Sequence, residues 1–102
     1  MARPKLIRIA GRRWAVEYPA QIDDEGTYGL TIYDEHKLQI VDGLAPVEEA
    51  DVIIHEVLHA LIASAGLTVP DEEPIVRALA SGLVGVLADN KTLRTHLNAL
   101  LK

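Results

Sequence analysis

A chain of 102 residues, 49% of them hydrophobic and 25% charged, has room for one core and the composition of a soluble globular domain, not a disordered or spanning one. It has no cysteine, so disulfides and thiolate ligands are excluded and any metal must be held by nitrogen and oxygen. With a net charge of −5 and basic residues scattered apart from Arg12 and Arg13, no electrostatic footprint for nucleic acid is visible.

In residues 5–18, Leu6, Ile7, Ile9, Trp14, Val16 and Tyr18 alternate with charged residues around Gly11, which predicts one or two strands with a turn. Trp14, Val16 and Tyr18 then share a face. Residues 19–29, rich in Asp, Glu and Gly, read as a loop. A second pair of short strands follows at 30–33 and 38–41, joined by a turn at 34–37. Near Gly43 the patterning changes from strand-like to helix-like, a division within one domain spanning 1–102.

Pro46 suits a first helical position, Glu48 and Glu49 complement the positive end of the helix dipole, and Gly66 is a stop, which places the first helix at 46–66. It is apolar almost all round, as expected of a helix packed on a sheet on one side and on helices on another. A second helix is expected from residue 71 or 72 to about residue 88, with Asp71 as its cap and Pro74 tolerated in its first turn. From Lys91 the spacing of Leu93, Leu97, Leu100 and Leu101 predicts a short amphipathic third helix. The expected fold is α+β, a small N-terminal antiparallel or mixed sheet packed on the first helix with one or two further C-terminal helices. The longest apolar-rich stretch, 52–67, is interrupted by His55, Glu56 and His59 and fits neither a membrane span nor a secretory segment. The basic start at 1–5 has no hydrophobic run after it, so cytoplasmic residence is the expectation.

The first helix contains His55-Glu56-Val57-Leu58-His59, the HExxH pattern. Positions i and i+4 lie one above the other on a helix, so both imidazoles can reach one tetrahedral zinc ion. Glu56, offset by one residue, is too far round to be the natural third ligand and is well placed to contact a water in the open coordination position. In this reading zinc brings the water's pKa towards roughly 7, Glu56 takes its proton, and the hydroxide attacks a carbonyl that the metal also polarises. Glu56 then passes the proton to the leaving amine. A chance grouping is the bland alternative. Against it, Val52-Ile53-Ile54 and Leu61-Ile62 put the trio in apolar surroundings, where burial without a common partner carries a desolvation cost.

A catalytic zinc wants three protein ligands. Glu72 and Glu73 open the second helix after a short connection through Gly66 and Pro70, so antiparallel packing brings them beside the end of the first. Helical phase favours Glu72, which stands at i−3, i−4 and i−7 from Ile75, Val76 and Leu79 and so shares their expected buried face. Both could instead be an ordinary acidic first turn.

From residue 38 to residue 90 the chain shows a strand, a loop, HEVLHALIASAGL, and then EExxVxxLAxGL, here Glu72-Glu73-Pro74-Ile75-Val76-Arg77-Ala78-Leu79-Ala80-Ser81-Gly82-Leu83. This resembles the minigluzincins, very small zinc peptidases of the gluzincin type, and similar short metallopeptidase-like proteins encoded by bacteriophages. The resemblance implies a metal site of His55, His59 and Glu73, the acidic residue three before Val76, in conflict with the helical wheel. It also implies that the strand at 38–41 forms the upper rim of the cleft, where an extended substrate adds as a strand. The chain lacks the separate C-terminal subdomain of larger gluzincins, and no Tyr or His stands out as an oxyanion stabiliser. His36 and His96, expected to be solvent-exposed, receive no role.

The leading expectation is an endopeptidase holding one zinc per chain and acting on a peptide or protein, in one version kept latent by its own N- or C-terminal segment. No nucleic-acid or membrane partner is expected. Competing with it are a non-catalytic zinc domain, closed by a fourth protein ligand, and a metal-free helical module that docks a partner through an apolar surface.

Overall fold

The computed structural model describes residues 2–102, and Met1 lies outside the described residues. Strands β1 (Leu6–Ile9), β2 (Arg12–Glu17), β3 (Gly29–Ile32) and β4 (Lys37–Ile40) precede helices α1 (Pro46–Ser64), α2 (Glu72–Asp89) and α3 (Lys91–Leu100). The fold is α+β, a four-stranded mixed sheet followed by three helices.

The sheet order is β1-β2-β4-β3. β1 and β2 form a hairpin in which Ile9 pairs with Arg12, so two residues turn the chain, and both Ala10 and Gly11 have positive φ as such a tight turn requires. β4 runs parallel to β2 and antiparallel to β3. The strand expected at 38–41 is therefore interior, with β2 and β3 occupying its two sides. This corrects the expectation that it forms the rim of the cleft; the free edge on that side of the sheet is β3.

Register decides which strand residues face the helices. Val16 and Thr31 both lie opposite Leu38, so the three form a row across β2, β4 and β3 on the inner face, and Ile40 lies opposite Gly29 in a second row. Trp14, Val16, Leu38 and Ile40 are buried there, while Tyr18, past the strand end, is only half-buried and donates its hydroxyl to the Pro4 carbonyl at 2.7 Å. Burial of each large apolar side chain stabilises the fold by about 1.5–3 kcal/mol. His36 is half-buried rather than exposed, because its turn presents the imidazole edge-on to the Trp14 ring at 5.0 Å.

α1 lays Glu56 and Ala60, one turn apart, against the sheet, and Ala60 joins Ile9, Trp14 and Leu38 in the core. The helix ends where Gly66, at φ 69°, lets its N–H reach the Ala63 carbonyl at 3.1 Å and that of Leu67 reach Ile62 at 3.2 Å. α2 then packs on α1 through Val76, Ala80 and Val84, a face built of small and branched residues that lets the helices approach closely. Ile75 and Leu79 lie outside it, 42% and 59% exposed, which removes the buried face on which the wheel argument for Glu72 stood. Asp71 precedes α2 but makes no side-chain cap: its own backbone is left-handed at φ 55°, and no side-chain hydrogen bond to the helix start forms.

No helix among the described residues is long and apolar enough to cross a membrane.

Candidate metal centre

Two adjacent stripes of α1 do different work. Glu56 points at the sheet, its side chain 9% exposed, while His55 and His59, at 17% and 11%, turn towards the start of α2. The antiparallel return of the chain brings Glu73 across both imidazoles. Its Oε1 lies 2.9 Å from His55 Nε2 and its Oε2 2.8 Å from His59 Nε2, while the two Nε2 atoms are 3.2 Å apart. His55, His59 and Glu73 thus form a group able to hold a metal ion, with one donor atom from each inside 4.8 Å.

The donor set fits a tetrahedral cation. With metal bonds of about 2.0–2.2 Å, ligand atoms around a tetrahedral ion stand roughly 3.3–3.6 Å apart. The contacts of 2.8–3.2 Å among these donors are shorter than that, so an ion entering here spreads the side chains slightly. Two imidazoles and a carboxylate suit zinc and other borderline divalent metals.

Glu72 has a different place. Its Oε2 lies 2.5 Å from His59 Nδ1, the nitrogen turned away from the group. A carboxylate on Nδ1 fixes the ring's orientation and its tautomer, leaving Nε2 as the free lone pair. The two consecutive glutamates therefore grip opposite nitrogens of one histidine.

Glu56 is held from the sheet side. Thr31 Oγ1 donates to Glu56 Oε1 at 2.8 Å, and Glu56 Oε2 lies 4.0 Å from His55 Nε2. Burial pushes the Glu56 carboxyl above the usual carboxylate range, more strongly than the Thr31 hydrogen bond and the neighbouring histidines draw it down. β3 approaches so closely that a Cβ on Gly29 would stand 2.6 Å from Val52 Cγ1 and 2.8 Å from Glu56 Oε2. Only glycine lets this edge strand lie against α1 at that point.

Burial alone lowers the His59 imidazole, but its hydrogen bonds with Glu72 and Glu73 and the charge of Glu56 outweigh that and leave it raised. For Glu73 burial raises the carboxyl, and His59, His55 and Arg77 together bring it below the ordinary range.

These groups line a cleft of about 700 Å³ between β3 and the α1/α2 pair, whose lining includes Ser81, which donates to the Asp51 carboxylate at 3.1 Å. Tyr33, the next inward position of the strand pattern after Gly29 and Thr31, also lines it. Burial and then the charges of Glu72, Glu56 and Glu73 raise its phenol, which keeps the proton at neutral pH. Sequence reasoning assigned no role to Gly29, Thr31 or Tyr33. The signal was present in the period of two, a glycine, a hydroxyl and a phenol on one face of a short strand. Reading it required knowing which face of that strand meets α1. His36 lies against Trp14 and Arg12, and His96 is exposed on α3; neither joins the cleft.

No protein family, no curated protein and no solved structure matches this chain.

Proposed function

We propose that this chain is a zinc-dependent hydrolase of peptide bonds, with His55, His59 and Glu73 as ligands and Glu56 as general base. The observation that carries the reading is the position of Glu56. It is a buried carboxylate that lines the cleft beside the three-donor group, tied on one oxygen by Thr31 and with the other 4.0 Å from His55 Nε2. A group that served only to staple α1 to α2 has no use for such a base. Among the described residues no fourth His, Asp or Glu joins the three donors, which supports an open coordination position over a closed structural one.

When bound, zinc supplies a water acidified to about pKa 7 and polarises a carbonyl brought against it. The chain's own residues do the rest. Glu56 Oε2 takes the water's proton and delivers it to the departing amine, while Thr31 keeps the carboxylate in one rotamer between the two transfers. Glu72 keeps His59 Nε2 turned to the group. The free edge of β3 offers unpaired backbone N–H and C=O groups to an extended peptide, which fixes the scissile bond over Glu56. Tyr33, protonated and at the end of that edge, is a donor for negative charge developing on the carbonyl oxygen.

The test is purified protein loaded with zinc and assayed on an unfolded protein substrate. Wild type is expected to hold about one zinc per chain and to cleave, and Glu56→Gln to keep its zinc while turnover falls by about 10²–10⁴-fold. His59→Ala is expected to lose the metal. A zinc-loaded wild type that cuts nothing, or a Glu56→Gln protein as active as wild type, sinks the proposal and leaves the non-catalytic zinc domain.

A further inference from the structure

One wall of the cleft carries a charge that the metal group does not use. Asp51 stands four residues before His55 on α1, half-buried and lining the cleft, and its two carboxylate oxygens face the Ser81 hydroxyl at 3.2 and 3.1 Å. A hydroxyl has one proton to donate, so Ser81 orients this carboxylate without neutralising it. Among the described residues no Lys, Arg or His pairs with Asp51. Arg77, the only Lys or Arg among the described residues lining the cleft, turns instead to Glu73 at 3.5 Å, and with its side chain 71% exposed its charge is largely screened by water. A short carboxylate partly withdrawn from water and held in one orientation attracts an opposite charge more strongly than an exposed one.

The register of β3 decides which part of a substrate meets Asp51. Tyr28 lies opposite Val41 and accepts its N–H at 2.8 Å, and bonded and non-bonded pairs alternate along an antiparallel ladder. Leu30 therefore also bonds to β4, whereas Gly29 and Thr31 turn their N–H and C=O groups to the free edge. A peptide added antiparallel at that edge pairs with these two, and its residues opposite them project to the same side as the Thr31 hydroxyl, towards α1. The position opposite Thr31 stands by Glu56, and the position opposite Gly29 stands by Val52, the neighbour of Asp51. The spans agree: two extended residues cover about 6.6 Å, and the four helical residues from Asp51 to His55 rise about 6 Å.

We infer that Asp51, with Ser81, is a subsite for a cationic group of the substrate, an ammonium or guanidinium carried two residues from the residue at the metal. This rests on the peptide reading of the cleft and names the peptides it takes. The cation donates a charge-assisted hydrogen bond to the Asp51 carboxylate, and the Ser81 oxygen, whose own proton is already given to Asp51, is its second acceptor. A basic side chain and a free N-terminal amine supply the same chemistry.

Binding is measured on zinc-loaded Glu56→Gln protein, where turnover is not needed, by NMR titration with N-acetylated, C-amidated Ala-Ala-Lys-Ala-Ala and with the same peptide carrying norleucine in place of lysine. The lysine peptide is expected to bind about tenfold more tightly, the factor of one charge-assisted hydrogen bond, and Asp51→Asn in the same protein to bring the two within about twofold. Arg77→Gln is expected to keep the preference. Equal binding of the two peptides, or a preference that survives Asp51→Asn, overturns the subsite. Wild type is then given randomised decapeptides with free and with acetylated N-termini. Cleavage two residues from Lys or Arg in both sets assigns the cation to a side chain, and cleavage near the terminus of the free set alone assigns it to the terminal amine. Cleavage without either cation overturns the subsite and leaves the hydrolase standing, whereas a protein that cuts nothing but keeps the Asp51-dependent preference loses the hydrolase and keeps the subsite.

Discussion

Glu72 Oε2 sits 2.5 Å from His59 Nδ1 while the adjacent Glu73 reaches the Nε2 atoms of both His55 and His59. One glutamate orients the ring and the other completes the donor set, so their removal has unequal consequences. Glu73→Ala is expected to hold no stoichiometric zinc after dialysis. Glu72→Ala is expected to bind with about 10–100-fold weaker affinity, the usual loss when a partner of a metal-ligating histidine is deleted. Competition titration against a chromogenic chelator measures both. A stoichiometric Glu73→Ala beside an empty Glu72→Ala reverses the assignment.

Among the described residues Thr31 is the only hydroxyl donor to the Glu56 carboxylate, and its hydrogen bond opposes the rise that burial imposes. Thr31→Val keeps the shape and deletes the donor. Stability is expected to fall by about 1–3 kcal/mol, the cost of a buried polar atom left without a partner. The acidic limb of the pH–rate profile is expected to move to higher pH, since Glu56 then ionises less readily. Thr31→Ser restores both. A profile unmoved in Thr31→Val removes Thr31 from the account of the base.

Gly29→Ala places a methyl group 2.6 Å from Val52 Cγ1, on a stiff β-branched side chain, and 2.8 Å from Glu56 Oε2, whose carboxylate is held by Thr31. Strand and helix must separate, at a cost of about 1–3 kcal/mol. Urea denaturation checks the stability. If the loss comes from this contact, Val52→Ala in the same chain recovers part of it. An unchanged midpoint in the single variant excludes so close an approach of β3 to α1.

The metal-free and zinc-loaded proteins are expected to respond oppositely to pH. His59, raised above its ordinary 6.5, stabilises the metal-free fold fully below about that pH and loses the contribution as pH rises through the folded value. Glu56, raised above 4.5, acts in the same direction, since its ionisation is disfavoured in the fold. Glu73 acts the other way, but its contribution is lost only as pH falls below about 4.5. Metal binding requires neutral imidazoles, so zinc-loaded protein gains stability over the range in which the metal-free protein loses it. Calorimetric Tm values at about pH 6 and about pH 8, with and without chelator, give the two slopes. Parallel slopes contradict the His59 contribution.

Much of this was legible in the residues themselves, because it depends on short-range geometry. The alternation of Trp14 and Val16 marks a strand, Pro46 and Gly66 bracket a helix, and the four-residue interval of His55 and His59 sets two imidazoles on one face, whatever else the chain does. The identity of the strand beside the site was not local. It follows from β4 entering between β2 and β3, a pairing of distant segments that moved the free edge from 38–41 to β3 and brought Thr31 and Gly29 against Glu56. The contest between Glu72 and Glu73 likewise turned on which face α2 buries. Periodicity alone admitted two apolar faces on that helix, and close packing on α1 through Val76, Ala80 and Val84 selected one, turning Glu73 to both imidazoles. Local sequence fixes what each segment is, since its causes are neighbours along the chain; which surfaces meet is decided by the fold, since one core can bury only the set of faces that fills it together.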